Sequence, residues 1–175
     1  MSRTRTAVLI SGRGSNMTVL VEAAKAADYP AEIALVLSNR PEAAGLAYAA
    51  GQRIPTLALD HRAYPDRGSF DAALDGALRE AGIELVVLAG FMRILTPGFV
   101  EAWAGRMINI HPSLLPLFRG THTHEQALAA RVLVQEHRLY PAALAMIASG
   151  RARLEGGRVI LAEAARDAGG ALLSL

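Results

Sequence analysis

Two residues near the middle of the chain, Asn109 and His111, have the types and the spacing of a catalytic pair. They lie in an apolar run that predicts a buried strand, Met107–His111, and residues two apart in a strand point to the same side. Pro112 follows directly, and because proline lacks a backbone donor and disfavours helix before it, we expect the strand to end at His111. An amide beside an imidazole that titrates near neutral pH can donate hydrogen bonds and transfer a proton. This strand end is the first candidate active site.

A second candidate is the glycine-rich turn after the first predicted strand, Thr6–Ile10. Its sequence, Ser-Gly-Arg-Gly-Ser-Asn at residues 11–16, precedes a helical pattern. A strand, a glycine-rich turn and a helix in this order direct backbone N–H groups and a helix N-terminus at a phosphate. The dinucleotide fingerprint requires a third glycine where this chain has Met17, so a ribose phosphate or mononucleotide fits better than NAD. The alternative is an ordinary tight turn in which Ser15 or Asn16 caps the helix.

Two other features allow both a functional and a structural interpretation. The loop Gly90–Leu95 is unusually apolar. It is either a wall for a flat apolar ligand or ordinary core filling before a helix that starts at Pro97. Arg67, in a loop before the next predicted helix, is on its own a solvated charge.

Three histidines, His111, His122 and His124, could be grouped as a metal site. No Asp or Cys accompanies them, and their spacing matches no zinc motif. We therefore predict that the protein holds no metal.

The elements that must position these residues alternate between strand and helix. Such alternation predicts a Rossmann-like, doubly wound α/β fold with a mostly parallel sheet. Ligands on such a sheet bind at the carboxyl ends of the strands, where all three candidate loops fall. Beyond the first strand and its helix, which continues through Lys25, we expect strands at Ile33–Leu37, Thr56–Leu59, Ile83–Ala89 and Met107–His111, with helices at Glu42–Ala50, Phe70–Ala81 and after Pro97.

The last third of the chain predicts a helix and a hairpin. The pattern of Glu125–Ala148 is helical, with a break or a kink expected at Pro141. Leu154–Leu161 predicts a β-hairpin on a Gly-Gly turn. The alanine- and glycine-rich end, Ala162–Leu175, is expected to fray.

Composition excludes several classes of protein. A chain of 175 residues fits one domain with a sizeable core. The net charge is only +2 and the arginines are scattered, which argues against a nucleic-acid partner. The absence of cysteine excludes disulfides and thiolate zinc sites and suits a reducing compartment. Because no apolar run suffices for a signal peptide or a bilayer span, we expect a cytoplasmic protein without membrane contact.

Together, the motifs resemble the phosphoribosylglycinamide formyltransferase family. Its members move a formyl group from 10-formyltetrahydrofolate to the amine of glycinamide ribonucleotide in purine synthesis. The resemblance runs from about residue 6 to 128 and resumes at residue 131. The motifs that carry it, in chain order, are residues 11–16, Leu88–Leu95, Asn109–Pro116 and His122–His124.

The resemblance implies a binding role for most candidate residues. Gly14, Ser15 and Asn16 would hold the substrate phosphate at the first helix N-terminus, and Glu136 would contact the ribose. The folate acts as a co-substrate, and the pterin would lie against the apolar loop. The folate-binding residues would be Arg67, Met92, Arg93, Ile94, Leu95 and Asn109.

The resemblance also implies that Asn109 and His111 are catalytic. When an amine attacks the formyl carbon, the amide N–H and an imidazolium can both donate to the oxyanion. The leaving nitrogen of the folate must regain a proton, which His111 can supply. The chemistry requires neither a covalent intermediate nor a metal.

The chain departs from the family pattern near residues 128–131, where one helical pattern runs straight into the next. At this place the family has two strands and a loop with an aspartate that assists proton transfer, and this chain has no counterpart. Both flanking patterns are intact, and loops over such sites are often mobile. We therefore expect residues 1–175 to be a single formyltransferase domain whose sequence omits an internal segment, rather than a true deletion.

Other functions stay open at this point. A methionyl-tRNA formyltransferase or a formyltetrahydrofolate hydrolase shares part of the catalytic core, but each is expected to carry a further domain. If the deletion is real, the protein is a catalytically inactive phosphate- or folate-binding relic. We expect small molecules as partners, and a monomer or a homodimer.

Overall fold

The computed structural model describes residues 2–110 and 122–162, with side chains described for 2–110 and 133–162. Its centre is a five-stranded sheet in the order β3-β2-β1-β4-β5, and every pair of neighbours is parallel. The doubly wound α/β fold predicted from the sequence is confirmed. The strands are β1 (Thr4–Ile10), β2 (Ala31–Ser38), β3 (Thr56–Ala58), β4 (Leu85–Ala89) and β5 (Met107–Ile110).

Five α-helices cover the two faces of the sheet. They are α1 (Ser15–Ala23), α2 (Ala44–Gly51), α3 (Arg67–Glu80), α4 (Pro97–Ala102) and α5 (His122–Ala148). Side chains alternate along β1, so that Val8 and Ile10 pack with α1, α2 and α5, while Ala7 and Leu9 pack with α3 and α4. All four are fully buried, as expected for a parallel strand covered on both faces.

Two helix starts have clear local causes. Asp66 and Ser69 form a capping box at the first turn of α3. Thr96 caps α4 by accepting from the Phe99 N–H, with Pro97 in the first turn. Because the capping box starts α3 early, Arg67 is its first helical residue, and the prediction that Arg67 lies in a loop is wrong.

Helix α5 continues through Pro141, so a break there, one of the two predicted outcomes, is wrong. Proline removes one helical hydrogen bond and typically costs about 3 kcal/mol or more. The flanking Tyr140 and Leu144 are buried against the sheet, and the Tyr29 hydroxyl donates to the Pro141 carbonyl at 2.7 Å. Packing against the sheet therefore stabilises a helix that its sequence alone would interrupt.

The predicted hairpin is confirmed. It pairs β6 (Ala152–Glu155) with β7 (Arg158–Leu161) in antiparallel register. Gly156 and Gly157 connect the strands, and both have positive φ, 54° and 76°. Glycine adopts a positive φ at two successive positions without strain, so the Gly-Gly dipeptide determines this turn.

Strand β5 is less protected than predicted. Among the described residues its only sheet neighbour is β4; Met107, Ile108 and Ile110 are half-buried and Asn109 is exposed. The prediction of a buried strand at this place is therefore wrong. His111, the predicted last residue of this strand, and the chain end that was expected to fray both lie outside the described residues.

The Tyr140 side chain joins α5 to the carboxyl ends of β4 and β5. Its hydroxyl donates to the Leu88 carbonyl at 2.8 Å and lies 3.4 Å from the Ile108 carbonyl. Burial raises the pKa of this phenol. The hydroxyl therefore remains a donor at physiological pH and holds α5 in place.

We expect Tyr140→Phe to lower the free energy of unfolding by about 1 kcal/mol, the net contribution of one hydrogen bond. Tyr64→Phe is a matched control, because the Tyr64 hydroxyl makes no hydrogen bond among the described residues while its ring packs edge-on against Phe70. The control should change stability by less than about 0.5 kcal/mol. Urea unfolding of both variants measures the difference, and equal losses would contradict the assigned role of the hydroxyl.

Candidate functional site

The candidate site lies at the carboxyl edge of the sheet, where β1 and β4 are neighbours. From β1 the chain crosses outward to β2 and β3, whereas from β4 it crosses to β5 on the other side. The strand order reverses between these two strands, and such reversals open a crevice at the carboxyl ends.

The crevice contains a cavity of about 260 Å³. Two of the three predicted loops line it together, the turn after β1 and the start of the loop after β4. The third candidate, Asn109, is placed beside them, because it pairs with Leu88 of β4. The lining residues are Ser11, Gly12, Arg13, Gly14, Ser15, Asn16, Arg40, Ala89, Gly90 and Met92.

Gly14 determines how the chain enters helix α1. It is the N-cap residue with φ 72° and ψ 39°, in the left-handed region, and no side chain caps this helix. The interpretation of Ser15 or Asn16 as the cap is therefore wrong, because the left-handed turn places glycine at that position. The first N–H groups of a helix have no intrahelical acceptor. Here no capping side chain occupies them, so they are free to bind an anion at the cavity wall.

Asn16 is linked to Glu136 of α5, 120 residues away in the chain. The Asn16 Nδ2 donates to the Glu136 Oε2 at 3.0 Å, and Glu136 is only 8% exposed. Two oxygens of this pair, the Asn16 Oδ1 and the second carboxylate oxygen of Glu136, Oε1, are buried and have no partner among the described residues. Buried acceptors without donors are costly, so this pair is suited to a ligand that brings hydroxyl groups.

The loop after β4 presents two apolar side chains to solvent. Met92 is 74% and Ile94 72% exposed, while Leu95 packs against the core. Arg93 turns inward, with its guanidinium carbon 4.4 Å from the centre of the Phe70 ring. Such a cation–π contact contributes about 0.5–2 kcal/mol. The loop thus offers an apolar surface next to the cavity, as the functional interpretation requires.

Arg67 is exposed and does not line the cavity. It lies three residues before Phe70 on α3, and residues at this spacing are neighbours on a helix surface. Arg67 is therefore placed on the side of α3 that carries the Arg93–Phe70 contact.

Sequence reasoning assigned no role to four residues of this region, Ser11 and Arg13 within the predicted turn, and Asn39 and Arg40 after β2. Ser11, Arg13 and Arg40 line the cavity, and Asn39 contacts Ser11. The sequence signal that could have identified two of them is their position along the chain, because Ser11 and Asn39 come directly after the buried strands β1 and β2. A polar residue at such a place is buried only if it has a partner.

Metal binding finds no support within residues 2–110 and 133–162. No three His, Asp or Glu side chains come together in that part of the chain. His122 and His124 have no described side chains. The described residues also include no helix that is long and apolar enough to cross a membrane.

Comparison with known proteins gives one consistent family. A family model described as formyl transferase matches residues 4–144. The human trifunctional purine biosynthetic protein adenosine-3 is 38% identical over 198 residues, which cover 90% of this chain and 20% of that protein. Phosphoribosylglycinamide formyltransferase from Escherichia coli (strain K12) is 35% identical over 187 residues, covering 84% of this chain and 88% of that protein.

A solved structure agrees with these relatives. Phosphoribosylglycinamide formyltransferase from Coxiella burnetii, in complex with CHES, superposes with a TM-score of 0.80 at 35% identity, covering 91% of this chain and 94% of that chain. The chain spans about a fifth of the length of the human trifunctional relative. The span aligned with the human protein is 198 residues long, whereas 90% of 175 residues is about 158, so about 40 positions have no counterpart in this chain.

We expect Gly14→Ala to lower the free energy of unfolding by about 1–2 kcal/mol, because a side chain disfavours the left-handed backbone. The added Cβ would also lie 2.9 Å from the Met17 Cε, which must move. Gly12→Ala is the matched control, since Gly12 is outside the left-handed region and its Cβ would meet no atom within 4 Å. Denaturant unfolding should show a change below about 0.5 kcal/mol for the control. Similar losses at both positions would show that the conformation of Gly14 is not the cause.

Proposed function

We propose that this chain, which belongs to the phosphoribosylglycinamide formyltransferase family, transfers a formyl group from 10-formyltetrahydrofolate to the amine of 5′-phosphoribosylglycinamide. The family predicted from the sequence is confirmed by the match over residues 4–144 and by the Escherichia coli relative, and the named relatives support formyl transfer in purine biosynthesis. The observation that carries the proposal is the uncapped N-terminus of α1 beside the Asn16–Glu136 pair.

The ribonucleotide would bind along the turn after β1. Its phosphate accepts hydrogen bonds from the backbone N–H groups of Gly14, Ser15 and Asn16, where the helix dipole favours negative charge. Arg13 and Arg40 line the same cavity and add positive charge. The ribose hydroxyl groups donate to the two buried oxygens of the Asn16–Glu136 pair, which gives both acceptors a partner.

The folate would bind against the loop after β4. The exposed side chains of Met92 and Ile94 cover one face of a flat pterin, and the loop backbone can bond to its ring edges. Arg93 and Leu95 hold the loop against the core, and Asn109 and Arg67 complete the folate site. The formyl group of the bound folate then lies between this loop and the ribonucleotide cavity.

The reaction needs one proton to leave the amine and one to reach the folate nitrogen. The amine nitrogen forms a bond to the formyl carbon, and the carbon–nitrogen bond to the folate breaks. In this proposal the Asn109 amide and the protonated His111 donate to the oxyanion, and His111 gives its proton to the leaving nitrogen. The neutral His111 that results then accepts the proton that the amine loses, so the protons balance. His111 lies outside the described residues, and its role rests on the sequence.

We expect His111→Ala to abolish formyl transfer and Asn109→Ala to lower turnover about a hundredfold to a thousandfold, the usual loss for an oxyanion donor. Steady-state kinetics with both substrates measures this, and calorimetry on His111→Ala should show substrate binding close to that of the unmodified protein. Gln52→Ala, which removes an exposed amide just after α2, is the control and should leave the kinetics unchanged. A His111→Ala protein that keeps half of normal turnover would disprove the assignment.

The same measurements separate the other functions. A formyltetrahydrofolate hydrolase releases formate without the ribonucleotide, and an inactive relic binds phosphate or folate in calorimetry without transfer. We further propose a cytoplasmic monomer or homodimer that binds small molecules and neither nucleic acid nor membrane. The low net charge and the cysteine-free composition support this part of the proposal.

We also propose that residues 1–175 form one formyltransferase domain from which an internal segment is missing near residues 128–131. The roughly 40 unmatched positions in the alignment with the human relative support this. Helix α5 runs through residues 128–131 without interruption. In the family, the two helical segments on either side of this point are separate elements at different places on the sheet. Because a helix rises only about 1.5 Å per residue, three or four helical residues cannot bridge two separated elements. The missing segment is where the family carries its assisting aspartate.

Intact mass spectrometry of the protein from its natural source tests this proposal. A mass several kilodaltons above 18.5 kDa is expected if the segment exists. A mass that equals 18.5 kDa means a true deletion, and formyl transfer should then be weak or absent because proton transfer loses its assisting carboxylate.

A further inference from the structure

Ser11, the residue directly after β1, contacts the loop after β4 at two points. Its backbone N–H donates to the Gly90 carbonyl at 3.1 Å, and its Oγ accepts from the Met92 N–H at 2.7 Å. Ser11 is only 6% exposed, so both bonds are shielded from water. A single residue therefore holds the first half of the loop.

The Ser11 hydroxyl is itself fixed from the other side. It donates to the Asn39 Oδ1 at 2.5 Å, and Asn39 follows β2 with 2% exposure. The Asn39 carbonyl lies 2.7 Å from the His61 Nδ1 and accepts the His61 backbone N–H at 3.3 Å. Because a carbonyl only accepts, the His61 Nδ1 carries a proton and donates. The chain of contacts thus runs from His61 through Asn39 and Ser11 to the loop.

Within the described residues, the loop has a second polar anchor at its far end. The Thr96 N–H donates to the buried carboxylate of Asp71 at 2.6 Å. Between these two anchors the apolar side chains of Met92 and Ile94 project into solvent and cannot fix the backbone by packing. The position of this surface therefore depends on the hydrogen bonds of Ser11 at one end and of Asp71 at the other, together with the packing of Arg93 and Leu95 between them.

We propose that Ser11, fixed by Asn39, is a positioning residue for the loop after β4 and through it for the folate; this rests on the proposed function. Ser11 also lines the cavity assigned to the ribonucleotide, so one buried hydroxyl sets the spacing between the two substrates. The phosphate itself is held by backbone groups at residues 14–16, which the Ser11 side chain does not contact.

Ser11→Ala tests the proposal, because it removes the acceptor of the Met92 N–H and the donor to Asn39. We expect the KM for the folate to rise about tenfold, the effect of losing a buried hydrogen bond. The KM for the ribonucleotide and kcat should change less than about threefold. Thr6→Val is the matched control: it removes a fully buried hydroxyl of β1 that donates to the Thr4 carbonyl, away from the loop, and should leave both constants unchanged.

A second readout does not depend on catalysis. In Ser11→Ala the Met92 amide should exchange its proton with solvent at least about tenfold faster, whereas in Thr6→Val its exchange should not change. Should Ser11→Ala fail to fold, Asn39→Ala keeps the hydroxyl but removes its acceptor, and both effects should appear in the same direction.

The outcomes of these experiments distinguish the positioning role of Ser11 from the proposed formyl transfer. Equal rises in both KM values, or no change in folate KM, overturn the positioning role in a protein that transfers formyl groups. If the unmodified protein binds no folate, the proposed function fails, and faster exchange at Met92 still reports that Ser11 holds the loop. Unchanged exchange at Met92 overturns the inference in either case.

Discussion

The hydrogen bond from Tyr140 to the Leu88 carbonyl fixes helix α5 against the ends of β4 and β5, and the arrangement of the site depends on it. Glu136 lies four residues earlier, on the same face of the helix, so fixing Tyr140 also fixes the carboxylate. Glu136 then reaches Asn16 at the start of α1. A hydroxyl at the carboxyl ends of β4 and β5 thereby helps to set the distance between two residues that are 120 positions apart in the chain.

The candidate site has two chemically different parts, the N-terminus of α1 and the Asn16–Glu136 pair next to it. At the N-terminus of α1, free N–H groups, the helix dipole and two arginines favour an anion. Beside it, a buried carboxylate accepts hydrogen bonds and repels negative charge, so it favours neutral donors such as hydroxyl groups. A ligand with a phosphate at one end and a sugar next to it satisfies both parts. A second phosphate in place of the sugar would be repelled.

Elements with strong periodic patterns were predictable from the sequence, whereas their ends and partners were not. The buried strand β1 and the turn after it follow from an apolar run and two glycines, which are local signals. The cap of α1 was misplaced because the left-handed conformation of Gly14 decides it, and side-chain propensity does not. The predicted break at Pro141 failed because the buried Tyr140 and Leu144 outweigh one missing hydrogen bond. The contact between Ser11 and Asn39 joins residues 28 positions apart, and no pattern within either segment indicates it.

Two tyrosine hydroxyls, those of Tyr29 and Tyr140, attach α5 to the rest of the protein. The stability of this attachment therefore depends on pH. Tyr29 donates to the Pro141 carbonyl, and burial raises its pKa to about 12; burial raises the pKa of Tyr140 as well. An unfolded tyrosine titrates near pH 10. A raised pKa means that the folded protein retains protons that the unfolded chain releases, so the stabilisation is complete below about pH 10 and declines as the pH rises through the folded pKa values. In alkaline solution these two attachments of helix α5 therefore weaken, and the position of Glu136 on the same helix is held less firmly.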